Sequence, residues 1–185
     1  MARRAVWALS LFPPAFVLVW AYGEGLVLAR EPLIVCGLSV MEEVFRQVDG
    51  ALSFERSIAD GAYSAGGDAI LARVEGRLAS ILTAERVALN FAQRMSGVAT
   101  LTREFCSRIP SSAAGVRLVD TRKTTPGLRQ FEKYAVRVGG GHNHRFGLDD
   151  GVMIKDNHIV AAGGIAEAVR RAQSRCHHLV KIQVE

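Results

Sequence analysis

The residues best suited to chemistry in this sequence are mostly cationic and fall in three short groups. Asp120, Arg122 and Lys123 form the first, His142, His144 and Arg145 the second, and Lys155, Asp156, Asn157 and His158 the third. Between Arg117 and Lys155 there are eight Lys/Arg against four Asp/Glu. Arginine offers a planar fork matched to carboxylate or phosphate, whereas lysine is a compact point charge. Side by side in Arg122-Lys123, they suit a ligand with two different anionic groups. Singly, each has a plainer reading. Arg122 and Lys123 would be solvated loop charges, and His142 and His144 a surface pair or two metal ligands without the rest of a site. His158 would be a helix-capping side chain. Together they point to a pocket for an anion.

Composition narrows the kind of anion. The chain has 185 residues, a formal charge of +5 and a pI near 9.5, with 49% hydrophobic and 22% charged residues. That is ordinary globular composition with a basic bias. A nucleic-acid surface would place Lys/Arg along an exposed helix with aromatic residues between them for base stacking. Here the basic residues sit among turn-formers, Thr124-Thr125-Pro126-Gly127 and Gly139-Gly140-Gly141. A small polyanion fits better, and no nucleic acid is expected as partner. Cys36, Cys106 and Cys176 lie far apart, in no metal-ligand spacing. An odd, scattered set argues for a reducing compartment and against a disulfide framework.

The elements that must position these residues follow from periodicity. Gly25 to Val35 is β-rich with a break at Pro32, and Leu38 to Val48 has helical spacing. Asp60-Gly61 and Gly66-Gly67 are turn signals, and Ala69 to Ile81 reads as strand, turn at Glu75-Gly76, strand. The clearest helix spans about 84–109, with Thr83 as N-cap and one buried stripe of Val87, Phe91, Met95, Val98, Leu101, Phe105 and Ile109. Gly97 in its middle costs about 1 kcal/mol against Ala, which implies another backbone pressed against that turn. Beyond Pro110 the spacing predicts a strand over 116–119, a helix over 128–138, a strand over 152–154, a helix over 165–174 and a strand over 179–184. Alternating strands and helices mean βαβ units and a parallel sheet, whose C-terminal strand ends form a ligand-binding rim. The three cationic groups fall at or near such ends.

The first residues stand apart. Arg3 and Arg4 precede an apolar run from Ala5 to Ala21 that mimics a signal peptide, but Pro13-Pro14 splits it and no A-x-A site follows. Two short apolar pieces do not make the roughly 20-residue helix that spans a bilayer. No membrane partner is expected.

Four stretches carry a resemblance. ERVALNFAQRMSGVAT (Glu85–Thr100), DTRKTTPGLRQFEKYAV (Asp120–Val136), GGGHNHRFGL (Gly139–Leu148) and IKDNHI (Ile154–Ile159) resemble the signature blocks of the quinolinate phosphoribosyltransferase family, in that family's order and spacing. The resemblance covers about Gly25 to Glu185. It implies an α/β fold: an N-terminal α/β sandwich domain over 23–110, including the helix 84–109, followed over 111–185 by the first part of an open α/β barrel, truncated at its C-terminal side. Residues 1–22 are an atypical start outside it. The resemblance further implies the transfer of the phosphoribosyl group of phosphoribosyl pyrophosphate (PRPP) to quinolinate, with Mg²⁺, giving nicotinate mononucleotide, pyrophosphate and CO₂ in cytoplasmic NAD biosynthesis. It implies a homodimer with a shared site. By the resemblance Arg122, His144, Arg145 and Lys155 surround quinolinate, Arg86 reaches in from the partner subunit, Lys123 contacts PRPP and Glu185 lies near the ribose.

Two departures accompany the resemblance. The sequence stops about three strands into a barrel that should have more, and Gln183 stands where the family pattern leads one to expect Glu. Three alternatives therefore stay open: a fragment that only dimerises or binds ligand, a related molybdenum-associated homologue with a different ligand, and, on pI alone, a nucleic-acid module.

Overall fold

The computed structural model describes residues 3–6, 21–113 and 115–185, so most of the apolar run Ala5–Ala21 lies outside the described residues. The chain divides into two compact units: one holds residues 1–119 and 125–142, the other 120–124 and 143–185.

The first unit is built on a four-stranded sheet. Its strands β1 (Arg3–Val6), β2 (Tyr22–Ala29), β4 (Ser53–Arg56) and β6 (Ala69–Arg77) run in the order β1-β2-β6-β4. β6 pairs antiparallel with β2 and β4, while β1 joins β2 in parallel. A small antiparallel pair, β3 (Leu33–Ile34) with β5 (Tyr63–Ser64), lies apart, so the expected break near Pro32 separates β2 from β3. Helix α1 (Leu38–Val48) forms as its spacing predicts, burying Leu38, Met41 and Phe45. Its first amides are held by Asp60, whose carboxylate accepts from Gly37 N at 2.9 Å and Leu38 N at 3.1 Å. With Ile81, Ala84, Ala88 and the sheet residues Ala72 and Val74, these side chains form the larger core.

The strand–turn–strand expected over 69–81 is instead one strand running straight into helix α2 (Leu78–Ser107). Gly76 makes this possible. Its φ of 145° lies outside the range of ordinary side chains, and a Cβ there would meet Leu52 Cδ2 at 2.5 Å. What reads as a turn glycine is a close-approach glycine within a strand. The helix thus begins before Thr83, which is no N-cap; its hydroxyl donates to Ala79 O at 2.8 Å.

The buried face of α2 also differs from the expected stripe. Leu78, Ile81, Ala84, Ala88, Met95, Ser96, Ala99 and Thr102 are buried, whereas Val87, Leu101 and Phe105 are about half exposed. Two layers press on this helix and set its buried side: α1 and the sheet along its first half, and α3 (Arg129–Val138) along its second. Close approach occurs at Gly139, where a Cβ would fall 2.5 Å from Ala99 O and 2.6 Å from Thr102 Cβ. At Gly97 nothing lies within 4 Å. α3 is further held by Phe91 against Phe131 (centroids 5.0 Å apart), Arg103 Nε donating to Gly139 O at 2.9 Å, and Tyr134 Oη donating to Asp60 Oδ2 at 2.9 Å. Arg94 pairs with Glu132 and Thr125. The strand expected over 116–119 reduces to one parallel bridge between Val119 and His142.

The second unit is a βαβ arrangement. β7 (Val152–Ile154) and β8 (Ile182–Val184) pair in parallel, with α4 (Asp156–Ala162) and α5 (Ile165–Arg175) between them in sequence. β7 and α5 are where periodicity places them; β8 is shorter than expected, with residues 179 and 180 in a turn. α4 went unpredicted because its seven residues span too few turns to show a period. No helix among the described residues is long and apolar enough to cross a membrane.

Candidate functional site

Six of the seven residues singled out in the sequence belong to the second unit: Arg122 and Lys123 from its short first segment, His144, Arg145, Lys155 and Glu185 from its longer one. Lys155 lies between β7 and α4 as the N-cap residue of α4. Its main-chain N donates to His158 Nδ1 at 2.9 Å, so His158 does serve as a cap. The parallel register sets Ile154 opposite Val184, and Glu185 N continues the ladder to Ile154 O at 2.8 Å. This brings Lys155 and Glu185 together at the strand ends, with Lys155 Nζ 2.5 Å from Glu185 Oε2. That hydrogen bond and the Lys155 charge hold the Glu185 carboxyl below the usual carboxylate range. Lys123 acts in the same direction, while Asp156 and partial desolvation oppose it. Four charged residues from three sequence segments therefore share one electrostatic neighbourhood.

The loop after α3 contributes His144 and Arg145. Asp120 accepts from His144 N at 2.8 Å, fixing the loop to the segment that carries Arg122 and Lys123. On the other side, His144 Nε2 lies 2.7 Å from Gln183 Oε1 on β8. Arg145 Nη1 donates to Gly151 O at 2.8 Å, which orients its guanidinium from behind. The next turn closes on Asp150, whose carboxylate accepts from Phe146 N at 2.5 Å and Gly147 N at 2.8 Å. Arg122 is half-buried and Lys123 exposed; Thr121 Oγ1 accepts from Lys123 N at 3.1 Å. Arg145 and His144 are thus held by backbone and neighbouring side chains, the kind of donors chemically suited to carboxylate or phosphate oxygens.

Arg86 lies in the first unit, exposed on α2. Beside it Glu85 is pushed up by desolvation, an effect the Arg86 charge partly offsets. The supporting residues Asp120, Asp150 and Gln183 were not expected as partners. Asp120 had a sequence signal, since it opens the first cationic group. Gln183 had none beyond departing from the family pattern. A separate groove of about 430 Å³ in the first unit, lined by Val35, Met41, Ser96, Gly97 and Leu101 among others, is mainly apolar. It lacks the cations an anionic ligand would need. Among the described residues no group of three or more His, Cys, Asp or Glu is placed to hold a metal ion.

Comparisons with known proteins identify the family. Residues 20–96 match the model for the N-terminal domain of quinolinate phosphoribosyl transferase, and residues 98–185 match its C-terminal domain. A probable carboxylating nicotinate-nucleotide pyrophosphorylase of Bacillus subtilis is 45% identical over 162 residues, 88% of this chain and 55% of the relative. The chloroplastic carboxylating nicotinate-nucleotide pyrophosphorylase of Arabidopsis thaliana is 48% identical over 147 residues, 80% of this chain and 41% of the relative. Among solved structures, NadC from Streptococcus pyogenes superposes with a TM-score of 0.83 at 40% identity, covering 88% of this chain and 58% of that one. The chain spans about half the length of the curated relatives it matches. The expected α/β class is borne out, and with both domain models matched in order along one chain, the protein belongs to the quinolinate phosphoribosyl transferase family.

Proposed function

We propose that this chain carries the quinolinate site of a phosphoribosyltransferase that joins quinolinate to the ribose of PRPP, with loss of pyrophosphate and CO₂, in NAD biosynthesis. The observation that carries the reading is the gathering of Arg122, Lys123, His144, Arg145, Lys155 and Glu185 in one compact unit, with Lys155 and Glu185 in direct contact. Quinolinate carries two adjacent carboxylates, and the cations Arg122, Arg145 and Lys155, with His144, supply complementary donors. Lys123 is the cation for PRPP. Attack by the ring nitrogen on the anomeric carbon breaks the bond to pyrophosphate and builds positive charge on the ribose. The Glu185 carboxylate, kept ionised by Lys155, is suited to stabilise that charge. The ribosylated ring nitrogen is then cationic, and it stabilises the carbanion left on the adjacent ring carbon when its carboxylate leaves as CO₂; a proton from solvent then replaces the lost carboxylate on that carbon. Holding both substrates in line contributes most of what the protein must do.

Mg²⁺ would come bound to the pyrophosphate group of PRPP and would neutralise charge on that leaving group. The Glu185 and Asp156 carboxylates are acidic groups suited to meet that ion's water shell. The active form is a homodimer in which Arg86 of each chain completes the other's site. Its exposure on α2 and the ERVALN motif support this assignment. The compartment is the cytoplasm, in keeping with three free cysteines.

Calorimetric titration of quinolinate into the purified chain, beside Arg122→Ala and Lys155→Ala variants, tests the reading. Wild-type binding that both variants weaken by at least tenfold is expected, since each removes a charge-assisted contact worth about 1.5–3 kcal/mol. A folded wild-type chain that ignores quinolinate, or variants that bind as well as wild type, would overturn it.

A further inference from the structure

We propose that His158 is a positioning residue that sets the side chain of Lys155 in the site, and that it does so as a neutral ring with its proton on Nε2. The inference rests on the quinolinate reading above, since it concerns how one cation of that site is aimed. The peptide group joining Ile154 to Lys155 is bonded on both sides. Its carbonyl, Ile154 O, accepts from Glu185 N at 2.8 Å, which ties it to the residue just after β8. Its amide, Lys155 N, donates to His158 Nδ1 at 2.9 Å, which ties it to the first turn of α4. The Lys155 carbonyl is held as well, accepting from Ile159 N at 3.0 Å. Three hydrogen bonds to two elements thus fix the main chain around Lys155 and the direction of its Cα–Cβ bond. From there the side chain reaches Glu185, Nζ to Oε2 at 2.5 Å.

The protonation of the ring follows from the donor. A main-chain N–H can only donate, so Nδ1 offers a lone pair, and a ring bonded this way carries its proton on Nε2. The cap matters because of what it anchors. Lysine has a flexible four-carbon stem, and a shift of the main chain at its root is carried out to Nζ. A root already fixed leaves less motion to be lost when an anion binds. In a capping box the third residue of the helix reaches back to the N-cap amide, a place usually taken by Glu or Gln. His158 stands at that third position behind Lys155 and makes the same bond with no negative charge. A glutamate there would set a second carboxylate beside Lys155, in competition with an anionic ligand.

The test is calorimetric titration of quinolinate into the full chain as wild type, His158→Leu and His158→Gln, each alone and combined with Lys155→Ala. Thermal unfolding checks that each variant folds. His158→Leu removes the acceptor, and affinity should fall about threefold to tenfold, the size of one hydrogen bond. His158→Gln restores an acceptor where capping boxes carry one, and should bind within about twofold of wild type. Lys155→Ala keeps the main-chain amide, so the cap survives in it and any purely structural effect of His158→Leu would persist there. The positioning role predicts otherwise: with the Lys155 side chain gone, His158→Leu should cost quinolinate affinity nothing further. Two-bond ¹H–¹⁵N spectra of histidine-labelled wild type, which need no variant to fold, should show the His158 proton on Nε2 alone at about pH 8. A His158 ring protonated at Nδ1, or a His158→Leu chain that binds like wild type, overturns the inference and leaves the quinolinate site standing. So does a loss as large with Lys155→Ala as without it, or His158→Gln binding as weakly as His158→Leu. A folded wild-type chain that does not bind quinolinate overturns both.

Discussion

Replacing Gly139 with alanine should loosen the seat of α3 on α2, and the size of the effect follows from local distances. Gly139 has an ordinary helical φ of −68°, so alanine meets no backbone strain there. The added Cβ instead lands 2.5 Å from Ala99 O and 2.6 Å from Thr102 Cβ, roughly 0.9 Å inside ordinary contact with that carbonyl. A backbone carbonyl within a helix cannot swing aside, so α3 must back away. That movement stretches the Arg103–Gly139 bond and disturbs the Phe91–Phe131 contact. Overpacking of this kind costs about 1–3 kcal/mol, and the smaller unfolded-state entropy of alanine returns about 0.4–1 kcal/mol. The net loss is about 1–2 kcal/mol, a fall in Tm of about 2–8 °C for a chain this long. Thermal unfolding followed by circular dichroism reads it directly. Gly97→Ala is the control: the site is open, so alanine there should raise stability by up to about 1 kcal/mol. If Gly139→Ala melts at or above wild type, or Gly97→Ala melts lower, the account of which glycine marks the close approach is wrong.

Ser96→Ala should cost about 1–3 kcal/mol, read from urea midpoints, because Ser96 Oγ accepts from Cys36 N at 3.0 Å and donates to Cys36 O at 3.1 Å in the interior. An unchanged midpoint would mean that those two backbone groups find other partners. Burial, reinforced by the Asp60 charge, pushes the Cys36 thiol up to about 12. Below about pH 8.5, where an unfolded cysteine keeps its proton, this group leaves stability untouched; above it the unfolded chain ionises first, so stability falls as pH rises toward 12. Urea midpoints that decline less in Cys36→Ala than in wild type between pH 8 and 10.5 would bear this out. Alkylation at pH 8 should reach Cys106 and Cys176 well before Cys36. Early Cys36 labelling in folded protein would contradict its burial.

Much of the molecule was legible from local pattern. Helix α1 appears where the spacing of apolar residues places it, because it buries one face and its period is written in a few consecutive turns; strand β7 and helix α5 also fall where expected. The cationic groups were legible too, since charges clustered among turn-formers have few structural uses. What tertiary structure decided concerns two layers meeting. Only the packed structure shows that Gly76 is a close-approach residue within a strand and that Gly139, not Gly97, is where α3 presses on α2. The interior side of α2 is likewise chosen by its neighbours: Ile81, Ala84, Ala88, Met95 and Ala99 face the packed layers, whereas Val87, Leu101 and Phe105 are left half exposed. At the site, sequence named the cations but not what holds them. Asp120 reaching His144, Gln183 meeting the same ring and Glu185 meeting Lys155 join residues between 24 and 39 positions apart. Such pairs leave no local period, and exist only once the chain has brought strand ends and loop together.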